Sequence, residues 1–191
     1  MTDEPPRGAH ILDAAVRLIA ADGLAGLSIR AVAAEAGVSV AQVQYYFGSK
    51  DALIEAAFDR AGAEFLSLLE PVFRRPPSPR RLRELIMLWL PLDEQREHRV
   101  KVWLAFAGAA ASHPALAESS RQNDREVAHW FEQELAGLGV ADPAVQAAHL
   151  LALIDGLALR CLTLPPRTRA TLIKQVLDSH LAVLVPGTMH T

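Results

Sequence analysis

The chain has 191 residues, 51% of them hydrophobic, and a formal net charge of −3. That hydrophobic content excludes disorder, the length suits a small module joined to a medium one, and the charge excludes a broadly basic nucleic-acid binder. Cys161 is the lone cysteine, which excludes a disulfide framework or a four-cysteine zinc site and suits a reducing cytoplasm. Alanine and leucine are abundant and strand-type alternation is absent, so the expected fold class is all-α, with about nine helices. The first residues, MTDEPPRGAH, lack the basic and apolar regions of a signal peptide, and a cytoplasmic location is expected.

Residues 8–22 place Ile11, Ala15, Val16 and Ile19 on one helical face, with Gly23 suited to end the helix. Arg7 at its entrance is expected to be solvated. Ser28 is an N-cap residue, and Ile29, Val32, Ala33 and Ala36 follow at helical spacing. Gly37 can take the left-handed turn conformation and Val38 plugs the space between two helices. The run Ser39-Val40-Ala41-Gln42 is a capping box that opens a second short helix, Val40 to Tyr46. Two helices joined this tightly form a helix-turn-helix, whose second helix enters the DNA major groove. Ser49 then caps a longer helix, 51–73, that links this unit to the rest.

The segment Arg74 to Arg81 contains three prolines and cannot continue a helix, so a boundary and a solvated arginine loop are expected there. Leu82 to Leu90 reads as a short helix stopped by Pro91. Asp93 caps the next, whose apolar side includes Val100, Trp103, Phe106 and Ala110 before the break at His113-Pro114. A further helix passes Trp130, Phe131 and Leu135 and ends at Gly137 and Gly139. Phe65, Trp89, Trp103, Phe106 and Trp130 serve equally well as core or as the lining of a small-molecule pocket. Asp142-Pro143 reads as a cap before a helix that is apolar nearly all round. His149, Asp155 and Arg160 argue against a membrane span, so that helix is expected to be buried on two sides, by its own core and by a partner subunit. With the last helix it predicts a four-helix dimer seam of Leu150, Leu153, Leu157, Arg160, Ile173, Leu177, His180 and Leu184. Bonds with partners such as Arg160 would make Asp155 tolerable there.

The motif Ser28, Arg30, Ala36 to Ser39, Tyr46-Phe47, Ser49-Lys50 and Leu53 resembles the tetracycline-repressor (TetR) family of bacterial transcription regulators. The segments RVKVWLAFAGAAASHPALAE and ALIDGLALRCL resemble the regulatory domain of the branch that includes the choline-responsive betaine-biosynthesis repressor, so the resemblance spans essentially the whole chain. It implies a DNA-binding domain over residues 1–50 and a ligand-binding and dimerisation domain over 51–191, and it carries architecture rather than a particular effector. A homodimeric repressor, released from a palindromic double-stranded DNA operator by a small molecule, is the implied function.

Within that reading Ser28, Arg30, Tyr45, Tyr46 and Lys50 hold the DNA backbone, and Ser39, Val40 and Ala41 start the reading helix. Gln42 and Gln44 are the expected base readers, since a carboxamide can bond adenine through two hydrogen bonds. Gln44 stands where the family usually has a tyrosine, which leaves a base contact open at that position. Residues 1–60 carry five Lys or Arg against eight Asp or Glu, so tight DNA binding is expected to depend on dimerisation. No catalytic motif is present, the single Glu126-Val127-Ala128-His129 does not suffice for a di-iron site, and neither enzyme activity, metal nor cofactor is expected. The alternative class is a helical small-molecule- or metal-binding protein without a DNA function.

Overall fold

A computed structural model describes residues 8–111 and 114–185, so Arg7 and His113 lie outside the described residues. Among the described residues there are nine helices and no strand. They are α1 (Ala9–Gly26), α2 (Ile29–Ala36), α3 (Val40–Phe47), α4 (Lys50–Phe73), α5 (Pro79–Leu88), α6 (Glu94–Ala110), α7 (Pro114–Gly137), α8 (Pro143–Cys161) and α9 (Pro166–Leu184). Two compact units result, one comprising Met1–Ser67 with Lys101–Ala117 and the other Leu68–Val100 with Glu118–Thr191.

In the first unit Ile11, Ala15, Ile19, Leu27, Val32, Val43, Leu53 and Phe106 share one buried cluster. The predicted stop at Gly23 is a kink: this glycine has φ 67° and ψ −173°, after which one further turn reaches Gly26. Arg17 pairs with Glu35 at 2.8 Å and Arg60 with Asp13 at 2.9 Å, tying α1 to α2 and α4. Both pairs are exposed and serve to orient more than to stabilise.

In the second unit Leu69, Leu82, Ile86, Leu135, Leu150, Ile154, Ile173 and Leu177 are all buried. Asp93 caps α6 as expected, accepting from the Arg96 amide at 2.8 Å. Asp142 does not cap α8: its backbone is left-handed at φ 51° and its side chain makes no cap bond, while its carbonyl accepts from Gln146. Of the expected solvated arginine loop, Arg74, Arg75 and Arg80 are exposed, and Arg81 is the exception. Ser78 accepts from the Arg81 amide at 3.1 Å, so Pro79 to Arg81 are the first turn of α5, and Arg81 is buried. Proline is tolerated there because the first helical amides need no partner inside the helix.

Arg169 closes the second unit. Its guanidinium donates to the carbonyls of Leu164 at 2.8 Å and Pro91 at 3.2 Å and pairs with Glu97 at 2.5 Å, binding the α8–α9 turn to the start of α6. Removing one partner of a buried pair strands the other, so Arg169→Ala should lower unfolding free energy by about 3 kcal/mol in a urea titration followed by helical signal.

Candidate nucleic-acid interface

Short polar residues set both ends of the helix-turn-helix. Ser28 Oγ accepts from the Ala31 amide at 3.1 Å and starts α2. Gly37 ends it at φ 67° and ψ 30°, and the Val38 amide returns to the Ala33 carbonyl at 2.9 Å. A residue with a β-carbon would be strained at that φ, so glycine is required for so tight a turn. Ser39 Oγ accepts from the Gln42 amide at 3.1 Å, and Gln42 Oε1 accepts from the Ser39 amide at 3.3 Å. The capping box read from the sequence is therefore complete, and Ser49 caps α4 by accepting from the Ala52 amide at 3.1 Å.

Orientation of α3 follows from one residue. Val43 is fully buried and faces the cluster of α1, α2 and α4, which turns the opposite side of α3 outward. Val40 is 38% exposed and Tyr45 is 84% exposed, and Ala41, Gln42, Gln44 and Tyr46 are exposed with them. Eight residues at 1.5 Å rise give a helix about 12 Å long, comparable with the width of the major groove. Tyr45 and Tyr46 meet edge to face at 5.4 Å, and a β-carbon placed on Gly8 at the start of α1 would fall 3.7 Å from the Tyr46 ring. Ser28, Arg30, Ser39 and Lys50 are also exposed, and Lys50 Nζ approaches the Leu24 carbonyl at 3.5 Å. All ten residues expected to meet DNA thus lie at the surface of one unit. Gln42 differs from Gln44 because its carboxamide oxygen is engaged in the cap, which leaves it one end short of a two-bond contact with adenine.

The five aromatics expected around a pocket are divided between the units: Phe65, Trp103 and Phe106 in the first, Trp89 and Trp130 in the second. Phe106 is 3% exposed and stacks on Phe58 with ring centres 3.6 Å apart, so it is core. Trp89 packs on Phe131 at 5.4 Å and Trp130 meets Phe73 edge-on at 5.9 Å. A separate groove of about 290 Å³ lies in the second unit between α5 and α9, lined by Pro79, Leu82, Arg83, Asp178, Leu181 and Val185.

The expected seam needs redrawing. Leu150, Leu157, Ile173, Leu177 and Leu184 are buried within their own subunit, and Leu153 and His180 are half-buried, so the large leucine side chains fill the subunit core. What α8 leaves open is a stripe of Val145, Ala148, Ala152, Gly156 and Leu159, flanked by His149, Asp155 and the expected Arg160; α9 leaves Val183. The 3- and 4-residue spacing makes that stripe one continuous helical face. The signal was present in the sequence as the small residues between the leucines. By length and composition α8 could cross a membrane, but the charged and imidazole groups on its open face oppose that reading.

Matches to known proteins agree with this geometry. Residues 11–57 match the model for bacterial regulatory proteins of the tetR family, and residues 79–186 match that for the C-terminal domain of BetI-type transcriptional repressors. The regulator BetI of Burkholderia cenocepacia is 33% identical over 81% of this chain and 81% of its own. The crystal structure of a transcriptional regulator from Rhodococcus sp. RHA1 superposes with a TM-score of 0.85 at 32% identity, covering 96% of this chain and 97% of that one. A regulator from Saccharomonospora viridis, solved in complex with choline, superposes with a TM-score of 0.80 at 26% identity, covering 89% and 92%. A capped helix-turn-helix with an exposed reading helix, followed by a helical regulatory domain, defines a DNA-binding transcriptional regulator rather than an enzyme. The chain belongs to the TetR family, in the branch with a BetI-type regulatory domain.

Asp155 on the open face of α8 is not held by Arg160, which is five residues along and turned well away on the helix. Loss of hydration, and secondarily the Asp124 carboxylate, push the Asp155 carboxyl up to about 6. A carboxyl raised on folding opposes the folded state once it ionises, so this cost is absent below the unfolded value near 4 and complete above about 6. Asp155→Asn should therefore unfold at a higher temperature than the wild type at pH 7.5, and the difference should close as the pH falls to 4 in paired thermal melts.

Proposed function

We propose that this chain is a cytoplasmic repressor acting as a homodimer, each subunit laying α3 in the major groove of a palindromic operator, and that a small molecule releases it. The observation that carries the reading is the outward face of α3, with Val40, Ala41, Gln44 and Tyr45 open while Val43 is locked in the core. Residues 1–50 serve as the reading domain and 51–191 as the effector and dimer domain. The family matches support that division, one falling on residues 11–57 and the other on 79–186.

Few cations and a net negative charge make a single module a weak ligand for DNA, so affinity comes from two modules held together. The open stripe of α8, with Val183 of α9, supplies the seam against the same helices of a second copy, and Gly156 allows close backbone approach. Half-sites then lie one or more helical turns apart, on the order of 34 Å per turn. Effector binding selects a conformer in which α4 is swung and the modules are wrongly spaced. The choline held by the Saccharomonospora viridis regulator makes choline the first compound to titrate. A compound that binds and leaves operator affinity unchanged would remove the release mechanism.

Selection of bound genomic fragments tests the reading and yields the operator and its spacing together; recovery of no common palindrome would end it. On that operator, Gln44→Ala should cost about 1–3 kcal/mol of discrimination at one base position. Lys50→Ala should weaken all sequences alike and lower the slope of log affinity against log salt by about one. Gln42→Ala should lower the melting temperature through loss of half the capping box and keep the sequence preference. Identical effects of the Gln44 and Lys50 variants in salt-dependent binding assays would refute this division of roles.

A further inference from the structure

We propose that Arg81 is a positioning residue, fastening the C-terminal end of α4 to α7 and so fixing the stem from which each reading module extends. The inference rests on the dimeric, operator-binding reading given above. Pro71 interrupts α4 two residues before its end, since it has no amide to bond the Ser67 carbonyl, and the last carbonyls of any helix lack partners within it. Past Pro71 the Arg74 amide returns to the Glu70 carbonyl at 3.1 Å and the Arg75 amide to the Val72 carbonyl at 3.2 Å. Arg81 donates at and just beyond the helix end: Nη1 bonds the Phe73 carbonyl at 3.4 Å and the Arg75 carbonyl, and the guanidinium lies 5.4 Å from the centre of the Phe73 ring.

From the other side α7 holds the same group. Arg81 Nη2 is 2.6 Å from Glu134 Oε2, with the two side chains only 11% and 1% exposed. Phe73 meets Trp130 of α7, and a β-carbon placed on Gly137 would fall 2.8 Å from Pro77 Cγ, so loop and helix approach too closely for any larger residue. Burial pushes the Glu134 carboxyl up against the pull of Arg81, the mark of a joint from which water is largely excluded. A well-packed apolar pair is often as stable as a buried ion pair. What an apolar pair cannot reproduce is a guanidinium that donates to two carbonyls while its charge lies 2.6 Å from a buried carboxylate. All these contacts lie inside the second unit, and α4 runs from there as one helix to Lys50 at the edge of the reading module.

The test compares binding to the palindromic fragment recovered by selection with binding to the same fragment after one half-site is scrambled, using full-length protein without added effector. The double variant Arg81→Met with Glu134→Leu removes both charges at similar volume and should keep the wild-type melting temperature within a few degrees. Its preference for the intact palindrome over the single half-site should fall about tenfold, because simultaneous engagement depends on spacing, while half-site affinity stays as in the wild type. Arg81→Lys, which keeps the charge and loses the fork, should fall between the two. Arg81→Lys, checked for folding by the same melt, provides the comparison if the double variant fails to fold. A wild-type preference ratio in folded variants overturns the inference. A wild-type protein with no preference for the intact palindrome overturns the dimeric reading itself, and the inference with it.

Discussion

Eight residues are too few for a helix to persist alone in water, and the two helices that meet DNA in this family have eight each here. Their existence depends on satisfied ends and on a shared apolar floor. Ser28, Gly37 and Ser39 bond the orphan amides and carbonyls of the turn, and Val32, Ala33 and Val43 are buried in the cluster that α1 and α4 complete. Every other property of the module follows from that arrangement. The angle between α2 and α3 is set by the turn, the outward face of α3 is set by Val43, and Lys50 is placed by the helix that Ser49 starts.

Electrostatics then decides how such a module can work. A surface poor in cations cannot rely on phosphate attraction alone, and the duplication proposed above supplies what charge does not. The dimer seam proposed above has a physical motive in the composition of α8. Leu150 and Leu157 are consumed by the subunit core, and Ala148, Ala152 and Gly156 are left on the open face with Val145 and Leu159. Small side chains bury little area each, but they let two helices approach closely, which suits a seam that must define a distance.

The features legible in the sequence were those with local causes. Caps at Ser28, Ser39, Ser49 and Asp93 and the turn at Gly37 each involve residues within a few positions of one another, and all were found where their spacing placed them. Features with distant causes were not legible. Nothing near Arg81 announces that Glu134 will bury it, and a run of prolines and arginines read by itself resembles a solvated loop. Seam residues are hard to assign for a related reason: the period of an apolar helix does not say which of its faces packs within its own subunit. Asp142 had the right residue type for a cap, but its left-handed backbone carries the side chain away from the amides it would have bonded.

Two glutamines separated by one residue illustrate a wider property of the module. Gln42 is part of the framework and Gln44 is not, because only the first has its carboxamide oxygen committed to a neighbouring amide. Val40, Ala41, Gln44 and Tyr45 are similarly unencumbered by the scaffold beneath them. A regulator built in this way can acquire a new address by exchange of a few side chains while its folding instructions stay untouched. Divergent promoters could thus be recognised by close copies of a single frame.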